Sequence, residues 1–190
     1  MSALEMKNNF GKYIINMNDK TRKELIIIAK AENVPYSALK KRALIDRIQA
    51  TRDFNQVMRE AAGGSNVEIV KLCKEWGATD FNRAMEEATW RGYIEIVKLC
   101  KEWGATEFVL AMRTATWGGH VEIVKLCKEW GATEFNSAMK WGAREGHVEI
   151  VKLCKEWGAT EFNRAMEEAT WYGHIEIVKL CKEWGATYFN

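Results

Sequence analysis

The chain has 190 residues, 47% of them hydrophobic and 28% charged, with a net charge of +2, five cysteines and a single proline. This is the composition of a folded chain, neither disordered nor fibrous, with room for one or two domains. No stretch approaches the ~20 apolar residues of a membrane span, and the N-terminal MSALEMKNNFGKYIINMN lacks the unbroken apolar core of a secretory signal, so an intracellular protein, cytoplasmic or nuclear, is expected.

Charge is unevenly placed. Residues 1–54 hold 11 Lys and Arg against 6 Asp and Glu, a balance of +5, which leaves the rest of the chain at −3. A basic head on a mildly acidic body points to two jobs. Within the head, Phe10, Tyr13, Ile14 and Ile15 are enough for one short helix. Next, Asp19 or Thr21 caps a helix bearing Leu25 to Ala29, Asn33 and Pro35 break it, and Ser37 caps a further helix with Leu39, Ala43, Leu44 and Ile48 on one side. The text KELIIIAKAENVPYSALKKRALIDRI resembles the helix-extended-loop-helix family that includes SAP domains and the N-terminal subdomain of the Rho termination factor. That resemblance implies nucleic-acid binding within residues 18–50, with Lys40, Lys41, Arg42 and Arg47 as salt-sensitive phosphate contacts. The bland reading is a solvated helix face on an element that caps the rest of the chain. No aromatic row is present there to stack single-stranded bases.

From Phe54 onward the chain repeats itself. Cys73, Cys100, Cys127, Cys154 and Cys181 are each 27 residues apart, and Trp76, Trp103, Trp130, Trp157 and Trp184 keep the same step. Framed from a leading phenylalanine, the units are 54–80, 81–107, 108–134, 135–161 and 162–188, and a sixth begins at 189–190. Such a period marks a solenoid whose units bury their apolar faces only against their neighbours. The domain division is therefore residues 1–53 and 54–190.

Each unit predicts two short antiparallel helices. In the second, Thr79 offers a cap and Asp80 an anion for the first turn. Phe81, Ala84, Met85 and Ala88 form one apolar stripe, and Gly92 ends the helix. The next helix, from Ile94 to Trp103, turns Ile96, Val97, Leu99, Cys100 and Trp103 inward. Glu95, Lys98, Lys101 and Glu102 face outward, spaced to pair among themselves. The five cysteines lie one repeat apart, too far for a disulfide, and read as small buried apolar residues.

The run AREGHVEIVKLCKEWGA, Ala143 to Ala159, resembles the ankyrin-repeat core, in which one helix ends at Gly-His and a second closes on Gly-Ala. The usual ankyrin period is 33 residues with a Thr-Pro-Leu-His opening, whereas this unit is shorter and opens with Phe-Asn in four of five cases. The resemblance therefore implies an all-α, ankyrin-like solenoid of five helix-turn-helix repeats with β-hairpin fingers reduced or absent. It also implies a structural role for His120, His147 and His174, and a protein-binding function. Short ankyrin-like units of this kind resemble those in expanded protein families of large DNA viruses.

Comparison of the units with one another locates a binding face. Counting the phenylalanine as position 1, positions 14 to 26 hardly change, while positions 3, 6, 7, 10, 11 and 13 vary. Positions 3, 6, 7 and 10 share a helical face opposite the apolar stripe. Residues with identical neighbours stay alike, whereas residues facing a partner are free to differ. Position 10 carries Trp90, Trp117 and Trp171, and Trp141 stands one turn away at position 7 of unit four. These rings, flanked by Arg91, Arg113, Lys140 and Tyr172, are expected to form a concave row for a protein partner. The alternative is that they lie over the neighbouring unit and fill the space of an absent finger. The tryptophans at position 23 are assigned to packing between repeats.

An enzyme is not expected. Catalysis needs unlike groups brought together, and here like groups recur in register along a rod. Nor do the spacings supply a phosphate loop, a zinc motif or a cofactor site. Unit five keeps the apolar pattern of the middle units, so either the chain is cut from a longer array or its outer face is covered by another copy, as in a homodimer.

Overall fold

Two glycine-terminated helices per 27 residues become, in the computed structural model, ten helices across residues 54–187, the residues the structure describes. They are α1 (Phe54–Gly63), α2 (Val67–Glu75), α3 (Phe81–Arg91), α4 (Ile94–Glu102), α5 (Phe108–Trp117), α6 (Val121–Glu129), α7 (Phe135–Glu145), α8 (Val148–Glu156), α9 (Phe162–Trp171) and α10 (Ile175–Glu183). There is no strand among the described residues. The loops between units are five residues long, as in Trp76 to Asp80, so the array is an all-α solenoid of helix pairs without hairpin fingers. Lys40, Lys41, Arg42 and Arg47, and the start of a sixth unit, lie outside the described residues.

The core follows the stripes. Ala84, Met85 and Ala88 of α3 are buried, as are Ala111, Met112 and Ala115 of α5 and Ala165, Met166 and Ala169 of α9. Small alanines let α1, α3, α5, α7 and α9 pack closely in succession, whereas the second helices of adjoining units touch only lightly. The array is therefore tighter along its first-helix side. From α4, Ile96, Val97 and Cys100 fill the gap between layers with no exposure at all, and each such side chain contributes on the order of 1.5–3 kcal/mol. All five cysteines are free and buried. Burial pushes their thiols up to about 11 at Cys73 and Cys181 and to about 12 at Cys100, Cys127 and Cys154.

Three local expectations are corrected. Thr79 does not cap α3: Asp80 does, accepting from the Arg83 amide at 3.3 Å. The Thr79 amide instead donates to the Asn55 side chain at 2.7 Å, and the bond recurs from Thr106 to Asn82, Thr160 to Asn136 and Thr187 to Asn163. The asparagine after each leading phenylalanine thus ties the start of a unit to the loop at its end. Unit three has Val109 there, 47% exposed, with no acceptor to offer Thr133.

Outward charges pair between units more than within a helix. Lys71 reaches Glu95 (3.9 Å), Lys125 reaches Glu149 (3.5 Å) and Lys152 reaches Glu176 (3.4 Å), because neighbouring second helices stand side by side in register. Lys125 also pairs on its own helix, with Glu122 at 3.1 Å. All are exposed and each is worth little.

The position-23 tryptophans find their ring partner inside their own unit. Each stacks on the leading phenylalanine at 5.4–5.9 Å, from Phe54–Trp76 through Phe162–Trp184. Their link to the neighbour is a lysine: Lys74 stands over Trp103, Lys128 over Trp157 and Lys155 over Trp184. An aromatic pair therefore closes each unit, and a cation-π contact joins it to the next.

Candidate protein-binding surface

Helical spacing puts positions 3, 6, 7 and 10 of each first helix opposite its buried alanines and methionine. On α3, α5 and α7 this brings three tryptophans together. Trp90 meets Trp117 edge to face at 4.9 Å, and Trp117 meets Trp141 at 6.3 Å. Trp90 and Trp117 remain 43% and 51% exposed while Trp141 is half-buried. The rings are thus braced against each other without being sealed between layers. Edge contacts of this kind add about 0.5–1.5 kcal/mol each.

The cluster continues through a cation. The Arg144 guanidinium lies 5.2 Å from the Trp141 ring and 4.9 Å from the Tyr172 ring, bridging units four and five. Lys140 stands 5.9 Å from Trp141 and pairs with Glu168 at 3.3 Å. The stripe therefore runs Trp90, Trp117, Trp141, Arg144, Tyr172. Trp171 does not join it: its ring is 83% exposed, and it borders a separate 470 Å³ hollow with Lys140, Glu168 and Tyr172. Arg91, in the last turn of α3, is exposed and outside the groove.

A groove of about 630 Å³ opens on the cluster, with Trp90, Trp117 and Trp141 on one side and Leu110, Arg113 and Glu87 among its other walls. Leu110 and Arg113 also line a 460 Å³ hollow beside Val109 and Ser137. Leu110 and Val109 fall outside the expected site, although the sequence carries a signal for them. Position 3 is polar in every other unit, and position 2 is asparagine in every other unit. Unit three thus replaces two polar residues with apolar ones beside the rings.

The backbone beneath the rings is fixed by the next unit. His120 Nε2–H donates to the Trp90 carbonyl at 3.1 Å, His147 to the Trp117 carbonyl at 3.1 Å and His174 to the Arg144 carbonyl at 2.9 Å. Each imidazole rests in a cradle left by a missing side chain. A Cβ on Gly92, Gly119 or Gly146 would lie 2.6–2.7 Å from the ring of His120, His147 or His174. The histidines therefore do more than shape their own turns, since each anchors the position-10 residue of the preceding unit. Unit one has Ser65 instead of that glycine, at φ 59°, and unit two answers with Tyr93 instead of histidine.

Among the described residues no group of three or more His, Cys, Asp or Glu side chains converges to hold a metal, and no helix is long and apolar enough to cross a membrane. Comparison with protein-family models and with curated proteins returns no match for this chain.

Proposed function

We propose that the chain is a non-catalytic, intracellular adaptor that binds a protein partner through the first-helix groove of units two to four. The observation that carries this reading is the braced, half-exposed trio Trp90, Trp117 and Trp141 lining a 630 Å³ groove with Leu110 and Arg113. Large rigid rings with a nearby arginine are the side chains that dominate protein interfaces, and rings already held in place lose little entropy on binding. Kinship to ankyrin repeats is supported by the Gly-His turn at His120, His147 and His174 and by the helix-pair stack, and the free thiols agree with a reducing compartment.

Affinity capture with the wild type, Trp117→Ala and Trp171→Ala tests the reading. The same partner should be retained by wild type and Trp171→Ala and lost by Trp117→Ala. Loss with Trp171→Ala alone would move the site to unit five. The second reading, nucleic-acid binding by the basic head, rests on the +5 balance of residues 1–54. There, Lys40, Lys41 and Arg42 to alanine should remove a salt-sensitive gel shift and leave partner capture intact.

A further inference from the structure

Charge on the variable first-helix face changes sign along the array. Positions 6 and 7 are Arg59 and Glu60 in unit one, Glu86 and Glu87 in unit two, Arg113 and Thr114 in unit three, Lys140 and Trp141 in unit four, and Glu167 and Glu168 in unit five. The successive balances are therefore 0, −2, +1, +1 and −2. The positive middle coincides with the rings. Most cations of this face are already engaged: Arg83 pairs with Asp80, Lys140 with Glu168, Arg144 with Glu145 and Arg164 with Glu161. Arg113 is exposed, and among the described residues no carboxylate stands within ion-pair distance of it. It lines both the 630 Å³ groove and the 460 Å³ hollow, with Leu110 one turn before it on α5 and Trp117 one turn after. Arg59, the other unpaired cation of the groove, belongs to α1 and packs toward α3 with its Glu86 and Glu87, whereas α5 also adjoins α7 with its Lys140.

Resting on the adaptor reading of this groove, we infer that its occupant is a protein segment that sets a carboxylate against Arg113 and a large apolar side chain against Leu110 and Trp117, with a basic residue toward Glu86 and Glu87. A free guanidinium presents a fork of donors matched to a carboxylate, and the exposed rings beside it exclude water from the pair. Neighbouring packed helices stand about 8–10 Å apart, so in an extended segment the basic residue falls about three positions from the acid. Charge complementarity favours such a segment over a nucleic acid. A polyphosphate chain suits the positive middle of the face, but the carboxylates of units two and five repel its flanking phosphates.

The probe is a randomised library of peptides about twelve residues long, enough to cross units two to five when extended, selected on the full 190-residue chain and counter-selected on Trp117→Ala. Peptides held through Trp117 should be enriched in Asp or Glu beside an aromatic or aliphatic residue, and selection on Arg113→Glu should put Lys or Arg in place of that acid. For one selected peptide, changing the acid to its amide should weaken binding at least tenfold in titration calorimetry. Arg113→Glu should weaken it as much while circular dichroism stays unchanged, because the side chain is exposed. Peptides that need Trp117 but show no acidic preference, or bind the Arg113→Glu chain equally, would overturn the inference and leave the adaptor reading standing. A selection that yields no peptide dependent on Trp117 would overturn both. An oligothymidylate that binds more tightly than any selected peptide and is lost in Arg113→Glu would give the face to nucleic acid, and a dimer of the chain lost in that variant would give it to a second copy.

Discussion

The first and second helices of this solenoid obey opposite rules. The second helices α2, α4, α6, α8 and α10 are nearly one sequence, IV-K-L-C-K-E after a Val or Ile start, and each puts its isoleucine and cysteine into the same interlayer space. The first helices keep only the residues that face inward and change the rest, and their changed face carries the tryptophan groove. Sequence uniformity thus tracks uniform surroundings, buried in the interlayer space or exposed where the lysines and glutamates of neighbouring units meet, and variation is concentrated on the open face of the first helices.

Raising the pH should break the uniform side first. An unfolded thiol ionises near its ordinary value of 9.0, whereas in the folded chain burial keeps the five cysteines protonated to about 11 or 12. Between those limits only the unfolded state releases the protons, so stability is intact below pH 9 and falls above it, by about 1.4 kcal/mol per pH unit for each thiol. Urea midpoints measured from pH 7.5 to 10.5 should drop steeply, and less steeply in Cys127→Ala. A flat profile would mean the thiols are not sequestered.

Next in size is the core itself: Ile150→Ala, in fully buried α8, should cost about 2–5 kcal/mol in urea unfolding. His147→Ala removes the donor to the Trp117 carbonyl and should cost about 1–2 kcal/mol. Because it unseats the backbone under a groove residue, it should also weaken partner retention, which Ile150→Ala at equal folded fraction should not. Val109→Asn should run the other way, stabilising by about 1 kcal/mol by giving Thr133 the acceptor found in the other units. If Val109 belongs to the docking surface, that gain comes with weaker binding. The smallest effect is expected at Thr89, whose buried hydroxyl has no partner and whose counterparts in units one and four are alanine. Thr89→Ala should shift stability by less than about 0.5 kcal/mol.

Much of the architecture is legible in the sequence because a fixed repeat with helical spacing of apolar residues reports the helix pairs and their inward faces directly. The stripe of Ala84, Met85 and Ala88, the inward Ile96 and Cys100 and the left-handed Gly92 stand as their spacing indicates, while Phe81 is half-buried. Contacts between units are less legible, since a single unit's spacing does not say which neighbour a side chain reaches. Hence Lys71 pairs with Glu95 across units, Trp103 stacks on Phe81 of its own unit, and His120 bonds a carbonyl thirty residues back. The tryptophan row is half legible. Trp90 and Trp117 meet as their register requires, but Trp141 enters from position 7, and in unit five Tyr172, beside Arg144, takes the place in the stripe that the spacing assigns to Trp171.

Urea unfolding of Trp117→Ala is the measurement that bears most directly on whether the variable face is surface or core. Removing a ring braced by both Trp90 and Trp141 loses two such contacts and should cost about 1–3 kcal/mol. A loss near 5 kcal/mol, the top of the range for a buried aromatic, would make Trp117 part of the packing and take away the open groove on which the adaptor reading stands.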